Sequence, residues 1–500
     1  MSRLRGVEGT VTTLHGALPR LLLVTAAMLA AGGAGPVAAA GAAATPGGGS
    51  DLLQPDALRT DAALERRTSG LADPRGRECP LPPGVLSLAT AVDLALCNNP
   101  TTRSTWAAAR QAAAALGSAE SAWLPTLSAT GGESRQYGEY VNATGNINSG
   151  PENTRDAALN LSWILYDFGG RSGRVRSARG LLDAAADTLS SVSQQTVLGV
   201  VQSYYAVIAA DAALSAARTT EETAARSLEI ARSLRDGGVS TLADVLQAQT
   251  AHDLAVLTRV QAELAAKNAY GALAVQIGSS ADRALKLEAA VVPAEVPALD
   301  ARMADLMDEA ARQRPDLLAA RAQRDAAEAN VTVARALGRP SISIQAGRTY
   351  DETPYVANQN YNQIGIYVTV PIFSGFSTTY GVRQAQAALE ASEANVEAAR
   401  LQVSLGVWNA YYGLQSANHQ LGATALLTTT ARDNQDVALG RYQSGVGTII
   451  DVLTAQTAAA SARLLRINAE FGWQLARAQL ALALGRLSGA EPLNNPAALP

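Results

Sequence analysis

The chain has 500 residues, a formal net charge of −4 and 5% aromatic residues, with only four phenylalanines. So few aromatic side chains argue against a large conventional core and favour Ala-rich helices that pack closely side by side. The near-neutral charge, without clustering of basic residues, excludes an electrostatic case for nucleic acid binding. The histidines His15, His252 and His419 are scattered, so no metal site, cofactor site or catalytic triad is indicated.

The N-terminus has the pattern of a secretory signal peptide. Three arginines precede an apolar run from Leu21 to Ala31, and small residues follow, with Ala38-Ala39-Ala40 as one cleavage site. This pattern assigns residues 1–40 to a signal peptide. An N-terminal transmembrane anchor is the alternative, although the run is short and Gly-rich, and no later segment has about 18 uninterrupted apolar residues.

Residues 41–84 are rich in proline, glycine and charge and lack a clear period, which predicts an extended or disordered arm. Cys79 and Cys97 are the only cysteines of the chain. In an exported protein they could form a disulfide, and two separate thiols are an equal alternative.

A first repeat is predicted over residues 85–278. Its short helices cover Ser87–Cys97, with Ser87 as N-cap, and Thr101–Trp123, which ends before Pro125 because a residue preceding proline disfavours helix. After the proline the hydrophobic period changes from 3.6 to 2. This change predicts strands at about 124–137 and 154–168, with a Gly/Asn-rich loop between them.

A long helix is predicted at 171–236, since the stretch lacks proline and is rich in strong helix formers. As one helix it would span roughly 100 Å. A Gly-containing turn follows, and a return helix is predicted at 245–277. A linker at 279–301 then leads to a second repeat at 302–486 and a tail at 487–500. The second repeat is predicted to have strands at about 340–350 and 361–373, a long helix at about 376–443 and a return helix at 452–484.

The residue offset between the two halves stays constant inside blocks and changes by a few residues between blocks, which indicates an internal duplication with short insertions or deletions in loops. Asp244 and Asp451 are 207 residues apart, Pro125 and Pro340 are 215 apart, and the pairing of Phe168 with Phe373 gives 205. The lengths of the shorter helices of each repeat, placed end to end, come close to that of the long helix. Each repeat is therefore expected to supply one continuous rod and one broken rod.

The predicted fold is mainly α with a membrane β-barrel. The four strands alternate apolar and polar residues and have about the length that a tilted strand needs to cross a bilayer. Four strands cannot close a barrel, and lipid does not tolerate an open sheet edge. Three chains would give a twelve-stranded barrel continued by twelve helical rods, with two structural repeats per chain. Two or four chains are alternatives that the pattern does not exclude.

The chain resembles the TolC-like outer membrane efflux proteins over about Leu86 to Arg486. The motifs are Gly-Val-Ser-Thr-Leu-Ala-Asp-Val-Leu-Gln-Ala-Gln and Gly-Val-Gly-Thr-Ile-Ile-Asp-Val-Leu-Thr-Ala-Gln, and Pro371-Ile372-Phe373-Ser374-Gly375 at a strand exit. The resemblance implies a homotrimer with its barrel in outer membrane lipid and its helices in the periplasm. It also implies a periplasmic adaptor and an inner-membrane ABC transporter or other pump as partners. The lack of a lipid-anchor cysteine favours the CyaE-like type I secretion branch, which exports a large toxin.

The resemblance places a closed gate at the two helix turns. Asp244 and Asp451 begin the return helices, where an acid also simply stabilises the helix N-terminus. Three copies of Asp451 would form an acidic ring at the entrance. Thr454 stands where the family has a second acid, and Gly447 where it has an arginine that locks the tip. Tyr442 matches a tip tyrosine that bonds the neighbouring turn near Asp244, with surface packing as the alternative.

Further positions are predicted from turn chemistry and from the strand ends. Gly238, Gly445 and Gly447 are expected to adopt turn conformations that side chains disfavour. Trp163, Tyr166 and Tyr367 could form an interfacial aromatic belt, and protein contacts are the alternative for Trp163. The predicted strand–helix junctions comprise Pro125, Phe168, Gly170, Pro340, Phe373 and Gly375.

The function predicted from these features is a passive exit duct, without enzymatic activity, in a tripartite machine that secretes a protein toxin. A drug or metal efflux duct is the alternative within the same class. A structural periplasmic stalk is an alternative of a different class, but it leaves the amphipathic strands unexplained. A soluble hydrolase lacks a recognisable site. The cargo itself stays open, because a tube lined with small polar groups carries little specificity.

Overall fold

A computed structural model describes residues 60–68, 79–82, 84–141, 145, 147–288, 302–353 and 356–487. The chain divides into two units, Met1–Ala57 and Leu58–Pro500, and the described residues all belong to the second. The predicted signal peptide, residues 289–301 of the linker, and residues 488–500 of the tail lie outside the described residues.

The elements of the described residues occur in two matching sets. The first contains α1 (Thr60–Arg67), α2 (Leu88–Asn98), α3 (Pro100–Ser121), β1 (Thr126–Val141), β2 (Ile147–Tyr166), α4 (Gly170–Asp236) and α5 (Leu242–Gln276). The second contains α6 (Met303–Gln313), α7 (Pro315–Ala336), β3 (Ser341–Thr353), β4 (Val356–Thr369), α8 (Ser377–Gln443) and α9 (Ile449–Ala483). Helices α2 to α5 have 11, 22, 67 and 35 residues, and α6 to α9 repeat these lengths in the same order. This match supports the duplication.

Each repeat stacks its shorter helices end to end beside its long helix. The end of α5 meets the junction between α2 and α3, because a Cβ added at Gly278 would lie 2.7 Å from the Cβ of Asn98, the last residue of α2. In the second repeat a Cβ at Gly485 would lie 3.0 Å from the carbonyl oxygen of Gln313. Both glycines have positive φ, 78° and 77°, which only glycine adopts readily. The broken rod that the helix lengths predict is therefore present in both repeats.

The helical rods lie side by side in a fixed order. α4 contacts α3 and α5 on one side and α7 and α9 on the other, and α7 and α9 in turn contact α8. The outermost rods are therefore α3 with α5 at one edge and α8 at the other. By length and composition α4 could cross a membrane, since one window has a mean hydropathy of 1.5. At 67 residues, or roughly 100 Å, it is far longer than a single span requires.

The four strands form one antiparallel sheet in the order β1-β2-β3-β4. Side chains of one row across the sheet are Leu127, Leu161, Ala346 and Ile364. The adjacent row on the opposite face is Ser128, Asn160, Gly347 and Gln363. In the part of the sheet nearest the helices one face is therefore apolar and the other mainly polar, as predicted, whereas the next row of the apolar face toward the loops contains Arg348 and Asn362. Within the described residues, the outer edges of β1 and β4 have no strand partner.

The strands extend further into the predicted loops, and less far toward the helices, than the sequence suggests. β1 pairs with β2 as far as Val141 and Ile147, so much of the segment predicted to be a loop forms hydrogen-bonded strands. The prediction was wrong here because glycine and asparagine, which are frequent in loops, occur in these exposed strands. At the other end β2 stops at Tyr166 and β4 at Thr369. Pro371 has no N–H to donate, so a strand to 373 was a wrong prediction.

The prediction of an extended or disordered arm is wrong for residues 60–67, which form α1. The helix packs Leu64, which is 3% exposed, among residues of α3 and α4. The Nε atom of Arg67 also lies 2.7 Å from the Oδ1 atom of Asp183. Eight residues are too few for a stable isolated helix, so packing against the neighbouring helices stabilises it.

Cys79 and Cys97 form a disulfide. Of the two alternatives that the sequence left open, a disulfide and two separate thiols, the structure has the disulfide.

Candidate functional site: helix turns and strand–helix junctions

Both return helices begin with a capping box. In α5 the Thr241 hydroxyl accepts from the Asp244 N–H at 3.3 Å, and the Asp244 carboxylate accepts from the Thr241 N–H at 2.8 Å. In α9 Thr448 and Asp451 make the same two bonds at 3.2 and 3.1 Å. The two aspartates therefore cap the N-termini of the return helices, directly after the turns.

Only part of the predicted role of the turn glycines is correct. Gly238 and Gly445 have φ of 73° and 75°, so these two supply the left-handed conformation that ends each long helix. Gly447 does not have positive φ. A Cβ there would lie 3.2 Å from the Arg441 Cβ and the Tyr442 nitrogen, so close backbone approach is its constraint.

The two turns pack against each other within one chain. Tyr442, at 4% exposure, belongs to a cluster with Leu228, Ala231, Val245, Ala248, Ile449 and Val452. Its hydroxyl lies near Ser240 and Asp244 of the other turn. It makes no hydrogen bond of acceptable geometry to any described residue. Burial raises the pKa of Tyr442, and the Asp244 carboxylate adds to this effect. Tyr442 thus contacts the predicted turn by packing, without the predicted bond.

Asp451 is exposed at the surface of the second turn. The Thr448 N–H and hydroxyl hold its pKa below the ordinary value, and the Arg441 charge contributes to the shift. Arg441, Gly447, Asp451 and Thr454 line a cleft of about 270 Å³. The carboxylate therefore stays charged at neutral pH, close to an arginine that the sequence analysis did not single out.

The strand–helix junctions share one backbone conformation. Phe168 and Gly169 have φ of 50° and 96°, and Gly375 and Phe376 have φ of 61° and 64°. Phe168 therefore corresponds to Gly375, 207 residues later, and the predicted pairing of Phe168 with Phe373 is wrong. The two phenylalanines do not occupy equivalent positions, because the two junctions share a backbone conformation and not an aromatic residue. Phe373 itself is 76% exposed and lies outside β4.

Close packing explains the other junction positions. A Cβ at Gly170 would lie 2.9 Å from the Asp167 carboxylate, which accepts from the Arg171 N–H at 2.6 Å, so a larger residue there would displace this carboxylate. Pro125 and Pro340 immediately precede β1 and β3 and fall outside the helices before them, as predicted.

Sequence reasoning missed Arg171, the most deeply placed charge of the first junction. It is 2% exposed and donates hydrogen bonds to the carbonyls of Ile164 and Leu165 at 2.6 and 2.9 Å. Its guanidinium also lies 4.2 Å from the centroid of the Trp123 ring. An arginine in the first turn of a helix, where the dipole disfavours it, was the available signal.

The aromatic residues of the strands have different surroundings. Trp163 donates to the Trp123 carbonyl at 2.9 Å, so the alternative of a protein contact applies to it. Tyr166 pairs with Ile342 on the apolar face. Tyr367 instead lies on the polar face, where its hydroxyl accepts from Gln363, and it does not belong to a lipid-facing belt.

Long helical rods joined at one end to an amphipathic antiparallel sheet are the fold of an outer membrane channel. Among the residues that the structure describes, no group of three metal-ligating side chains occurs. A model of the outer membrane efflux protein family matches residues 91–279 and 306–486. The chain belongs to this family. It is accordingly an outer membrane transport protein, and its helices lie on the periplasmic side. The members of this family are passive channels.

Individual relatives agree with this assignment. Protein CyaE of Bordetella pertussis is 32% identical over 383 residues, 76% of this chain and 79% of that protein. Outer membrane protein TolC of Vibrio cholerae is 28% identical over 402 residues, 76% of this chain and 87% of that protein. The CmeC outer membrane channel of Campylobacter jejuni has 19% identity and a TM-score of 0.72, covering 84% of this chain and 91% of that one. The fold class predicted from the sequence is confirmed.

Proposed function

We propose that the chain forms the passive exit duct of a tripartite export machine. Three copies close a twelve-stranded barrel in the outer membrane and a tube of twelve rods beneath it. A periplasmic adaptor and an inner-membrane pump deliver the cargo to the helix turns, and the pump supplies the energy. The channel contributes only a passage and a gate.

The observation that carries this proposal is the pair of edges that a single chain leaves uncovered. β1 and β4 end the sheet without partners among the described strands. Lipid does not tolerate such an edge, so another copy must pair with it. All neighbouring strands are antiparallel, so β1 and β4 run in opposite directions. The β4 edge of one copy would continue the antiparallel sheet on the β1 edge of the next, and repetition of this contact generates a ring.

The outermost helices at both edges expose apolar side chains. On α8 the exposed residues Leu401, Leu405, Trp408 and Tyr412 follow the 4-3-4 spacing of a coiled-coil seam. On α5 at the opposite edge the exposed apolar residues include Leu246, Leu257 and Leu264. Large apolar faces of this kind mark interaction surfaces. Nearer the turns α8 also exposes Leu426 and Val437, at about the height of Leu257 and Leu246 on α5. The α8 edge of one copy would therefore cover the α5 edge of the next.

This assembly is tested by purifying the mature protein in detergent and measuring its mass and its conductance in planar bilayers. We expect three chains per particle and a stable conductance. Leu405→Glu places a charge in the α8 seam and should yield monomers without conductance. Asn395→Glu is the control, because Asn395 is exposed on the same helix and lies roughly 110° around its axis from the seam. A conducting wild-type monomer would contradict the proposal.

At the gate, three copies of Asp451 form an acidic ring that favours cations. The low pKa and the exposed position of Asp451 support this role. Asp451→Ala should lower the cation/anion permeability ratio in planar bilayers. Glu222→Ala removes an equal charge from the exposed surface of α4, 14 residues before the helix ends, and should leave the ratio unchanged. An unaltered ratio in Asp451→Ala would exclude the ring.

The cargo is a protein exported by a type I secretion system with an ABC transporter. The 32% identity to CyaE and the sequence resemblance to the CyaE-like branch favour this choice. Efflux of small molecules is the second candidate, favoured by the description of the family as efflux proteins. Deleting the gene distinguishes the two. Loss of one large protein from the culture medium supports secretion, whereas sensitivity to toxic compounds with an unchanged medium supports efflux.

A further inference from the structure

A band of arginines lies directly beneath the sheet, where α4 and α8 begin and α3 and α7 end. The members of this arginine collar are Arg171, Arg174, Arg176, Arg179, Arg335, Arg339 and Arg383. The sequence analysis found no clustering of basic residues, and the fold corrects this. A Cβ at Gly173 of α4 would lie 2.8 Å from Val333 of α7, and one at Gly338 would lie 2.7 Å from Thr378 of α8.

Carboxylates do not balance the collar. The acids beside it are Asp167, whose Oδ2 atom lies 3.5 Å from Nε of Arg171, and Glu120, which lies 3.4 Å from Arg179. The residues 329–340 and 370–389 contain no acid at all. Five exposed members have no ion-pair partner within the described part of the chain; they are Arg174, Arg176, Arg335, Arg339 and Arg383.

Helix stability does not account for these positions. α4 and α8 have no acid in their first turns, yet their first two turns carry arginines. The N-terminal end of a helix is electropositive, so the macrodipole opposes a cation there. The same end attracts anions. Only Arg335 and Arg339, near the C-terminal end of α7, lie where the dipole favours them.

Exposed aromatic rings accompany the arginines. Three of the four phenylalanines of the chain, Phe168, Phe373 and Phe376, lie in this band. The Phe168 ring contacts the Tyr166 ring at 4.7 Å, and Tyr166 belongs to the apolar face of the sheet. The Arg339 guanidinium lies 5.8 Å from the centroid of Phe168. Arg339 therefore stands just beyond the apolar face, where a side chain reaches the lipid headgroups.

We propose that the arginine collar binds the phosphate groups of anionic phospholipids in the inner leaflet of the outer membrane. Arg174 and Arg176 are two residues apart and therefore lie on opposite faces of α4, so only one of them faces the bilayer. The unpaired guanidinium groups on the bilayer side supply charge and bidentate donors for phosphate. The aromatic rings insert among the acyl chains at the same level. The collar thereby fixes the depth of the barrel and the start of the helices relative to the bilayer. This inference rests on the outer membrane location and does not depend on the cargo.

The test uses the full mature protein in detergent and native mass spectrometry. Dioleoyl-phosphatidylglycerol and dioleoyl-phosphatidylethanolamine, which share their acyl chains, compete for the protein. We expect phosphatidylglycerol to be retained at least about tenfold better, since each basic residue at an anionic surface contributes about fivefold. Replacing Arg174, Arg176, Arg335, Arg339 and Arg383 with Gln should remove this preference. Replacing the same five with Lys should preserve most of it.

A matched control removes five exposed arginines elsewhere, and it should retain the wild-type preference. Its changes to Gln are at Arg103, Arg110, Arg226, Arg235 and Arg312. Equal retention of the two lipids by the wild type, or an unchanged preference in the collar variant, would overturn the proposal. Conductance is measured on the same samples, so a conducting channel without lipid preference rejects the collar while leaving the exit duct intact.

Discussion

Gln456 donates a hydrogen bond from Nε2 to the Oγ atom of Ser227 over 2.6 Å, and both side chains are buried. Ser227 lies on α4 in the first repeat, and Gln456 lies on α9 in the second. The bond therefore joins the two repeats near the helix turns. Because both groups are removed from water, either one left without its partner carries the full cost of desolvation.

Ser227→Ala should destabilise the protein, because it leaves the Gln456 amide buried and unpaired. We expect a loss of about 1–3 kcal/mol in the free energy of unfolding. The double variant Ser227→Ala with Gln456→Leu should recover part of this loss. Denaturant unfolding of the single and double variants measures the coupling. Strictly additive losses would show that the bond does not contribute.

Tyr442→Phe should leave the stability unchanged within about 0.5 kcal/mol, since the hydroxyl has no well-formed bond to a described residue. Tyr442→Ala should cost about 3–5 kcal/mol, because it empties the centre of the packed turns. Thermal unfolding compares the two variants. A large loss in Tyr442→Phe would instead establish the hydrogen bond that the family resemblance implies.

Asp451 should contribute to stability in a pH-dependent manner. Its folded pKa lies below the ordinary value of 3.8, owing first to the bond from the Thr448 N–H. The contribution is therefore complete above the unfolded pKa and is lost as the pH falls through the folded pKa. Asp451→Asn should flatten the change of Tm with pH below about 4. Identical pH profiles for the wild type and Asp451→Asn would refute this linkage.

Arg171→Lys should weaken the first strand–helix junction even though the charge is kept. A lysine has one nitrogen and does not reproduce the fork that reaches the Ile164 and Leu165 carbonyls. We expect a loss of about 1–3 kcal/mol from an unsatisfied buried carbonyl. Thermal unfolding, followed by circular dichroism, measures this loss. Arg174→Lys, at an exposed position, is the control and should match the wild type.

Removing the disulfide should loosen the segment around Cys79. The bond closes a loop between residues 18 apart, for which chain entropy predicts a contribution of about 3 kcal/mol. Cys79→Ala with Cys97→Ala should lower the Tm, and a reductant should lower the Tm of the wild type to a similar value. The same reductant should not change the double variant. A shift in the double variant would point to a different target of reduction.

The duplication, the alternating strands and the lengths of the rods could be predicted from the sequence. These features depend on local periodicity, on proline positions and on offsets such as that from Asp244 to Asp451. Tertiary contacts do not change any of these properties of the sequence. Errors arose where local chemistry is ambiguous. The residues around Gly138 are of types common in loops, but they form paired strands. Phe168 corresponds to Gly375 through its positive φ, a property that the residue type does not reveal.

The sequence by itself determined that two copies of one module build this chain and that its sheet needs further copies to close. Only the tertiary structure decided which side chains share a neighbourhood. The burial of Arg171 against Trp123, the packing of Tyr442 between the turns and the arginine collar each join residues that are distant in the chain. Their energies depend on distance and desolvation in space, and a linear pattern of residues carries neither quantity.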